Sequence, residues 1–277
     1  MRVHIAISTY RGMGRDAMGA IRVAEDRLRA EPGFTVDSPT YYGSALLARS
    51  RNDVLSMILR EMPEVDKVVF IDDDMQPEPE ALVKLCKHDA PIVSALCTTR
   101  TPPVELACKL WDPKEEQFWM MDSIPMHYPT TGPYAPGAAF LAVSREGAMK
   151  LVEHFLRADD WIADNSRLFD RLHVRKERRE AERAAKEKQR RELWDLAGFL
   201  VLFETKQVDN GQDAGEDVIF ALRCIQAGVP VVIDPRIVVG HLGIYPFGPW
   251  MYKPQNTSSS VERLREAGLI GAATKVA

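Results

Sequence analysis

Three short runs carry side chains able to hold a cation or move a proton. The first is Phe70-Ile71-Asp72-Asp73-Asp74, an apolar strand-like run that ends in three carboxylates. Carboxylate oxygens suit hard divalent cations such as Mg²⁺ and Mn²⁺, which also take phosphate oxygens. In open α/β sheets, ligands bind outside the carboxyl ends of the strands. Asp72 and Asp74 are the alternate pair and are expected to share a side, with Asp73 directed elsewhere. A solvated acidic turn before the next helix is the plain alternative. The second run is Gly215-Glu216-Asp217, which opens a helical stretch. An acidic pair is favoured there by the helix dipole. If it faces a cleft, it also offers a base for an acceptor hydroxyl. The third is Val239-Gly240-His241-Leu242-Gly243. A lone histidine is more often structural. If it reaches the cation of Asp72 and Asp74, its imidazole favours Mn²⁺ slightly over Mg²⁺, and the flanking glycines allow the chain to approach a phosphate closely.

The elements that must position these runs are legible as an alternation. Val3 to Ser8 reads as a strand, Met13 to Ala30 as a helix stopped by Pro32-Gly33, and Phe34 to Asp37 as a second strand. Ala45 to Met62 repeats apolar residues at helical spacing, and Lys67 to Ile71 is a β-rich run of the kind buried on both faces. Pro79 to His88 reads as helix and Pro91 to Leu96 as strand. The alternation predicts an α/β fold with an open, mostly parallel sheet covered by helices. Short antiparallel strands are expected within Val104 to Met121, a strand over Gly137 to Val143 and a helix over Arg145 to Leu156. Gly215 to Ala227 reads as a helix ended by Gly228, followed by strands at Val229 to Asp234 and Ile237 to Val239.

Residues 166–196 read as one long helix, and Arg171 to Arg191 holds ten Lys/Arg interleaved with glutamates. Glu182 with Lys186 and Glu187 with Arg191 are favourable i,i+4 pairs, as on a solvated helix face. A polyanion such as DNA, RNA or an anionic membrane surface is the functional alternative. No aromatics interleave with the charges, so such contact would be electrostatic only. The organisation expected is one domain over 1–250, with 166–196 as a helical insertion and 251–277 as a tail. With 277 residues the chain is long enough for a large core without disulfides, and its four cysteines form no C-x-x-C pair, which suggests buried thiols in a reducing compartment. No run approaches the ~18 apolar residues of a membrane span, so a cytoplasmic protein is expected. The net charge of −4 gives no global pull towards nucleic acid.

Together, the runs "FIDDDMQPEPEALVKL" and "AGEDVIFALRCIQAGVPVVIDPRIVVGHLG" resemble the Asp-x-Asp and Glu-Asp-to-His segments of GT-A glycosyltransferases. "IAISTYRG" resembles the first strand and nucleotide loop of that fold. "ARSRNDVL", "TTRTPP" and "YAPGAAFLAVSREGAMKL" are similar to segments of the small glycosyltransferase-2-like proteins of bacteria and phages. The likeness spans roughly residues 3–157 and 200–245. It implies a GT-A, Rossmann-like nucleotide-sugar-binding domain and transfer of a sugar from a nucleoside-diphosphate sugar to a hydroxyl, with inversion. It also implies Mn²⁺ or Mg²⁺ on Asp72, Asp74 and His241, and Asp217 as the base, with Glu216 as the second candidate. Thr9, Tyr10, Arg11, Arg51, Asn52 and the Asp72–Asp73 pair would lie by the nucleotide, and Gly137 by the sugar and acceptor. A UDP-sugar is the expected donor, with a GDP-sugar as the alternative. The chain departs from many relatives in having Ser8 where they have proline before Thr-Tyr. Hydroxymethylated pyrimidine in DNA, reached through the basic arm, is one acceptor; a surface glycan, a lipid-linked sugar or a small molecule are the others. Two other classes compete: a nucleotidyltransferase, whose Gly-rich loop with a following Lys is missing here, and a non-catalytic nucleic-acid-binding protein, which gives the acidic residues no role.

Overall fold

The computed structural model describes residues 1–9, 12–43, 46–99, 104–114, 117–121, 129–156, 201–207, 213–242 and 246–247, with scattered helical positions between 181 and 194. Most of the expected 166–196 helix and all of the 251–277 tail lie outside the described residues.

Five helices are described: α1 (Arg15–Arg29), α2 (Leu47–Glu61), α3 (Ala81–Lys87), α4 (Arg145–Leu156) and α5 (Glu216–Gln226). The strands are β1 (Arg2–Thr9), β2 (Thr35–Val36), β3 (Thr40–Gly43), β4 (Lys67–Asp72), β5 (Met75–Pro77), β6 (Ile92–Ala95), β7 (Cys108–Asp112), β8 (Gln117–Met120), β9 (Thr130–Gly132), β10 (Tyr134–Pro136), β11 (Phe140–Ser144), β12 (Lys206–Gln207), β13 (Asp213–Ala214), β14 (Val231–Asp234), β15 (Val239–Leu242) and β16 (Pro246–Phe247).

The central sheet has eight strands in the order β2-β1-β4-β11-β6-β14-β9, with β3 also on β1. Pairing is parallel among β1, β2, β3 and β4 and between β14 and β6. It is antiparallel where β11 wedges between β4 and β6 and where β9 meets β14. This is a mixed, mostly parallel sheet flanked by helices, consistent with a Rossmann-like fold. Hydrophobic runs carry no sign of strand direction, which is why the reversed β11 was not legible in the sequence.

Strand alternation sorts the core into two layers. Val3, Ile5 and Ile7 of β1 and Val69 and Ile71 of β4 pack with Ile21 and Leu28 of α1 and Leu82 and Leu85 of α3. Ala6, Val68 and Phe70 point the other way, onto Val54, Leu55 and Ile58 of α2, Leu151 and Phe155 of α4 and Phe220 of α5. Asp72 has the parity of Phe70 and therefore emerges on the α2 side. α5 ends as the sequence predicts. Gly228 takes φ +63, Gly228 N–H donates to Ile225 O and Val229 N–H donates to Cys224 O, the double bond of a Schellman stop.

Of the strand boundaries that differ from expectation, two have a visible hydrogen-bonding cause. β11 begins at Phe140, because Gly137 spends its N–H on Ala107 O at 2.8 Å and its carbonyl on the Ser94 hydroxyl, outside the sheet ladder. Ile237 lies in a turn, its N–H donating to Asp234 O, and the strand runs instead from Val239 to Leu242. All four cysteines are buried and free. Among the described residues no helix is long and apolar enough to cross a membrane.

Candidate active site

The acidic run sits where β4 leaves the sheet. Asp72 is the last residue in register with β1, opposite Ser8. Its N–H donates to Ala139 O at 2.9 Å, and Asp73 N–H donates to Ser8 O at 3.1 Å. After the turn the chain re-enters as β5, which pairs antiparallel with β15 and sets His241 opposite Met75. Leu242 N–H donates to Asp74 O at 2.7 Å. This pairing brings Asp74 and His241 together across 167 positions, with Nε2 3.2 Å from Oδ2.

The His241 ring has a defined polarity. Its Nδ1 lies 2.8 Å from Thr98 O. A carbonyl can only accept, so Nδ1 carries a proton. Nε2 then faces the Asp74 carboxylate either as an imidazolium N–H or as a lone pair, and two lone pairs in contact repel unless a cation lies between them. A ring N–H held by a carbonyl is the usual outer support of a metal-bound imidazole. The 3.2 Å separation also suits adjacent positions of an octahedral shell, where bonds of about 2.1 Å place ligands about 3 Å apart. Asp74 and His241 therefore fit a divalent cation. Among the described residues no group of three or more His, Cys, Asp or Glu could hold a metal by itself. Mg²⁺-like ions commonly bind through one or two protein ligands and complete their shell with water and substrate phosphates.

Asp72 has a different partner. Arg51, on α2 and 1% exposed, donates from Nη2 to Asp72 Oδ1 at 2.8 Å and from Nη1 to Glu216 Oε1 at 2.7 Å. Nη2 also reaches Ala138 O at 3.2 Å. The guanidinium lies 5.7 Å from the Phe203 ring centre, and Phe203 stacks on Phe220 at 4.2 Å. Burial works to lower the Arg51 pKa, but Asp72 and Glu216 outweigh it, and the net shift is upward. Burial raises the Asp72 pKa; Arg51 opposes this, while Asp74 and Glu216 add to it. One cation thus serves two carboxylates from opposite ends of the sequence.

Asp217 is the next residue along α5. Burial raises its pKa and the neighbouring Glu216 raises it further; the N–H of Val218, Lys109 and Arg51 pull it down. Val218 N–H donates to Asp217 Oδ1 at 2.8 Å. A Cβ on Gly215 would lie 2.9 Å from that same oxygen, so the glycine leaves room for the carboxylate. Asp217 is thereby a carboxyl with raised proton affinity at a helix N-terminus, the property wanted of a base working near neutral pH.

The remaining expected residues are placed as follows. Thr9 ends β1, and its hydroxyl accepts from Gly12 N–H at 3.1 Å, with Gly12 at φ +87; Tyr10 and Arg11 lie outside the described residues. The Asn52 side chain is engaged inside the protein: Oδ1 accepts from the N–H of Leu202 and Phe203 at 2.9 Å each, and Nδ2 donates to Phe203 O at 2.7 Å. Gly137 is beside Ala107, where β7 begins. Phe203 and Lys109, absent from the expected set, join the site through tertiary contact, and no local signal marks either of them.

No protein-family model matches the chain, and no curated protein matches it. Solved structures share weak similarity. A197 from STIV is 14% identical at TM-score 0.47, covering 94% of this chain and 97% of that one. A 4-diphosphocytidyl-2C-methyl-D-erythritol synthase from Anaerococcus prevotii is 13% identical at TM-score 0.33, covering 62% of this chain and 82% of that one. A glycosyltransferase involved in glycosylation of the major capsid of PBCV-1 is 13% identical at TM-score 0.29, covering 57% and 67%.

Proposed function

We propose that the chain is a GT-A-type glycosyltransferase that moves a sugar from a nucleoside-diphosphate sugar to an acceptor hydroxyl with inversion. The observation that carries this reading is the division of labour among the acidic residues. Asp74 is joined to His241, Asp72 and Glu216 are ion-paired to Arg51, and Asp217, outside that pair, has raised proton affinity.

Asp74 and His241 would hold Mn²⁺ or Mg²⁺ against the donor diphosphate, where the ion supplies Lewis-acid stabilisation of the leaving group. The Thr98 carbonyl, by accepting from Nδ1, would leave the His241 Nε2 lone pair for that ion. Asp217 takes the proton of the acceptor hydroxyl. The acceptor oxygen forms its bond to the anomeric carbon, and the bond from that carbon to the diphosphate oxygen breaks, the electron pair leaving with the nucleoside diphosphate. Arg51 engages one oxygen each of Asp72 and Glu216, which leaves Asp217 outside that clamp as the base. A UDP-sugar is the donor proposed, with a GDP-sugar as the alternative. A DNA acceptor depends on the basic arm 171–191, most of which lies outside the described residues.

The test is thermal stability with Mn²⁺ and a panel of nucleoside diphosphates and nucleotide-sugars, since a ligand of the native state raises the melting temperature by mass action. A metal-dependent rise with one nucleotide, lost in Asp74→Ala, supports the donor site. Loss of sugar transfer in Asp217→Asn with that rise intact supports the base. No rise with any nucleotide sinks the reading.

A further inference from the structure

We propose that the β7–β8 face carrying Lys109, Trp111 and Phe118 is an acceptor subsite for a negatively charged pyranose, with the sugar's apolar face on Trp111 and its anion on Lys109. This rests on the transferase reading with Asp217 as base.

Alternation along β7 puts Lys109 and Trp111 on one face, with Cys108 and Leu110 on the other. The register sets Trp111 opposite Phe118 and Lys109 opposite both Met120 and Ala135. Cys108, Leu110 and Tyr134 are sealed into a core with Leu96, Leu106 and Ile233. On the Lys109 face, Ala135 clusters with Val218 and Ile219 of α5, and Phe118 packs against the same cluster. That face is therefore turned to the first turn of α5, which holds Asp217. The Lys109 charge is felt there, where it offsets part of the rise that burial and Glu216 give the Asp217 pKa.

The chemistry of the face fits one ring and one charge. The Trp111 and Phe118 rings are 5.0 Å apart and tilted by 56°, and Trp111 is partly exposed. The C–H face of a pyranose stacks on an indole while its hydroxyls remain available. Lys109 is also partly exposed, and among the described residues its ammonium has no hydrogen-bond or ion-pair partner. An anionic acceptor would neutralise Lys109 and so release Asp217 to a higher proton affinity only when the acceptor is in place. A polynucleotide calls for a row of cations along its phosphates, and Lys109 is the one cation of β7.

The experiment is saturation-transfer NMR on the full chain with glucuronate and glucose 6-phosphate, against glucose as the neutral control. Both anionic sugars should bind, with glucose weaker by about tenfold or more, the scale of one charged hydrogen bond. Lys109→Met should lose that preference while melting like the wild type, and Trp111→Ala should lose binding of all three. Absence of anionic-sugar binding, or binding unchanged in Lys109→Met, overturns the subsite. So does a single-stranded oligonucleotide that depends on Lys109 and Trp111 where the sugars do not. The donor-dependent rise in wild-type melting temperature separates the two readings. A donor rise without sugar binding overturns the subsite alone, whereas sugar binding without any donor rise overturns the acceptor assignment together with the transferase.

Discussion

Arg51 donates to Glu216 across 165 positions of sequence at 2.7 Å, from a side chain that is 1% exposed. The bond joins α2 to the first turn of α5, and the second arm of the guanidinium joins both to the end of β4 through Asp72. Removing a buried charge from such a pair leaves its partners uncompensated. Asp72 and Glu216 are 19% and 23% exposed and can draw in some water. Arg51→Met should therefore cost about 3 kcal/mol, the lower end of the range for broken buried pairs. Adding Glu216→Gln to Arg51→Met should recover part of that loss, because coupled residues are non-additive. Denaturant unfolding of the single and double variants measures this, and strictly additive losses would refute the clamp.

Asp217 links pH to stability. Burial, with Glu216 beside it, raises its folded pKa. A carboxyl of that kind contributes its full stability below the unfolded value of about 3.9, and the contribution is lost as pH rises through the folded value. Asp217→Asn should thus melt higher than wild type at pH 7, by roughly 2–4 °C for each kcal/mol relieved. The gap should close near pH 3, where the wild-type carboxyl is protonated in both states. The same variant should lose transfer by roughly 10²–10⁴-fold, the usual contribution of a general base. A melting temperature lower than wild type at pH 7 would contradict the assignment.

Asp74 and His241 should separate the metals. Loss of Asp74 should remove the metal-dependent rise in melting temperature. His241→Ala should weaken Mn²⁺ on the order of tenfold or more and Mg²⁺ by less, since Mg²⁺ has less use for an imidazole ligand. Titration of each metal into wild type and variant in the presence of the nucleotide reads this directly. No weakening of either metal would remove His241 from the coordination shell.

Asn52 ties the chain where it returns at 202–203 to α2 through three buried hydrogen bonds. In Asn52→Leu, two N–H groups and a carbonyl lose their partner, at about 1–3 kcal/mol for each group left unsatisfied. The unfolding midpoint should fall accordingly, with Trp194, which lies close to Arg60, reporting the loosening by fluorescence. A variant as stable as wild type would show that these bonds are replaced by water.

Local spacing was enough to mark most of this architecture. α4 occupies the expected Arg145–Leu156, and Gly228 stops α5 because the left-handed conformation there is cheap only for glycine. The Asp-rich end of β4, the acidic start of α5 and His241 were visible as residue types in the right order. The engagement of Arg51 and Asn52 was not: the resemblance set both by the nucleotide, and their protein partners, Glu216 and the backbone at 202–203, lie far along the chain.

The sequence by itself determined the alternation of helices and strands, the buried thiols and the residue types available to the candidate site, since these depend on local propensity and side-chain type. Only the tertiary structure decided which carboxylate meets which cation. Strand parity turned Asp72 to Arg51, the β5–β15 pairing delivered His241 to Asp74, and the packing of the β7–β8 sheet on α5 placed Lys109 where its charge acts on Asp217. The first spans 21 positions and the other two more than a hundred, and such contacts are set by sheet register and helix packing, which leave no local trace in the chain.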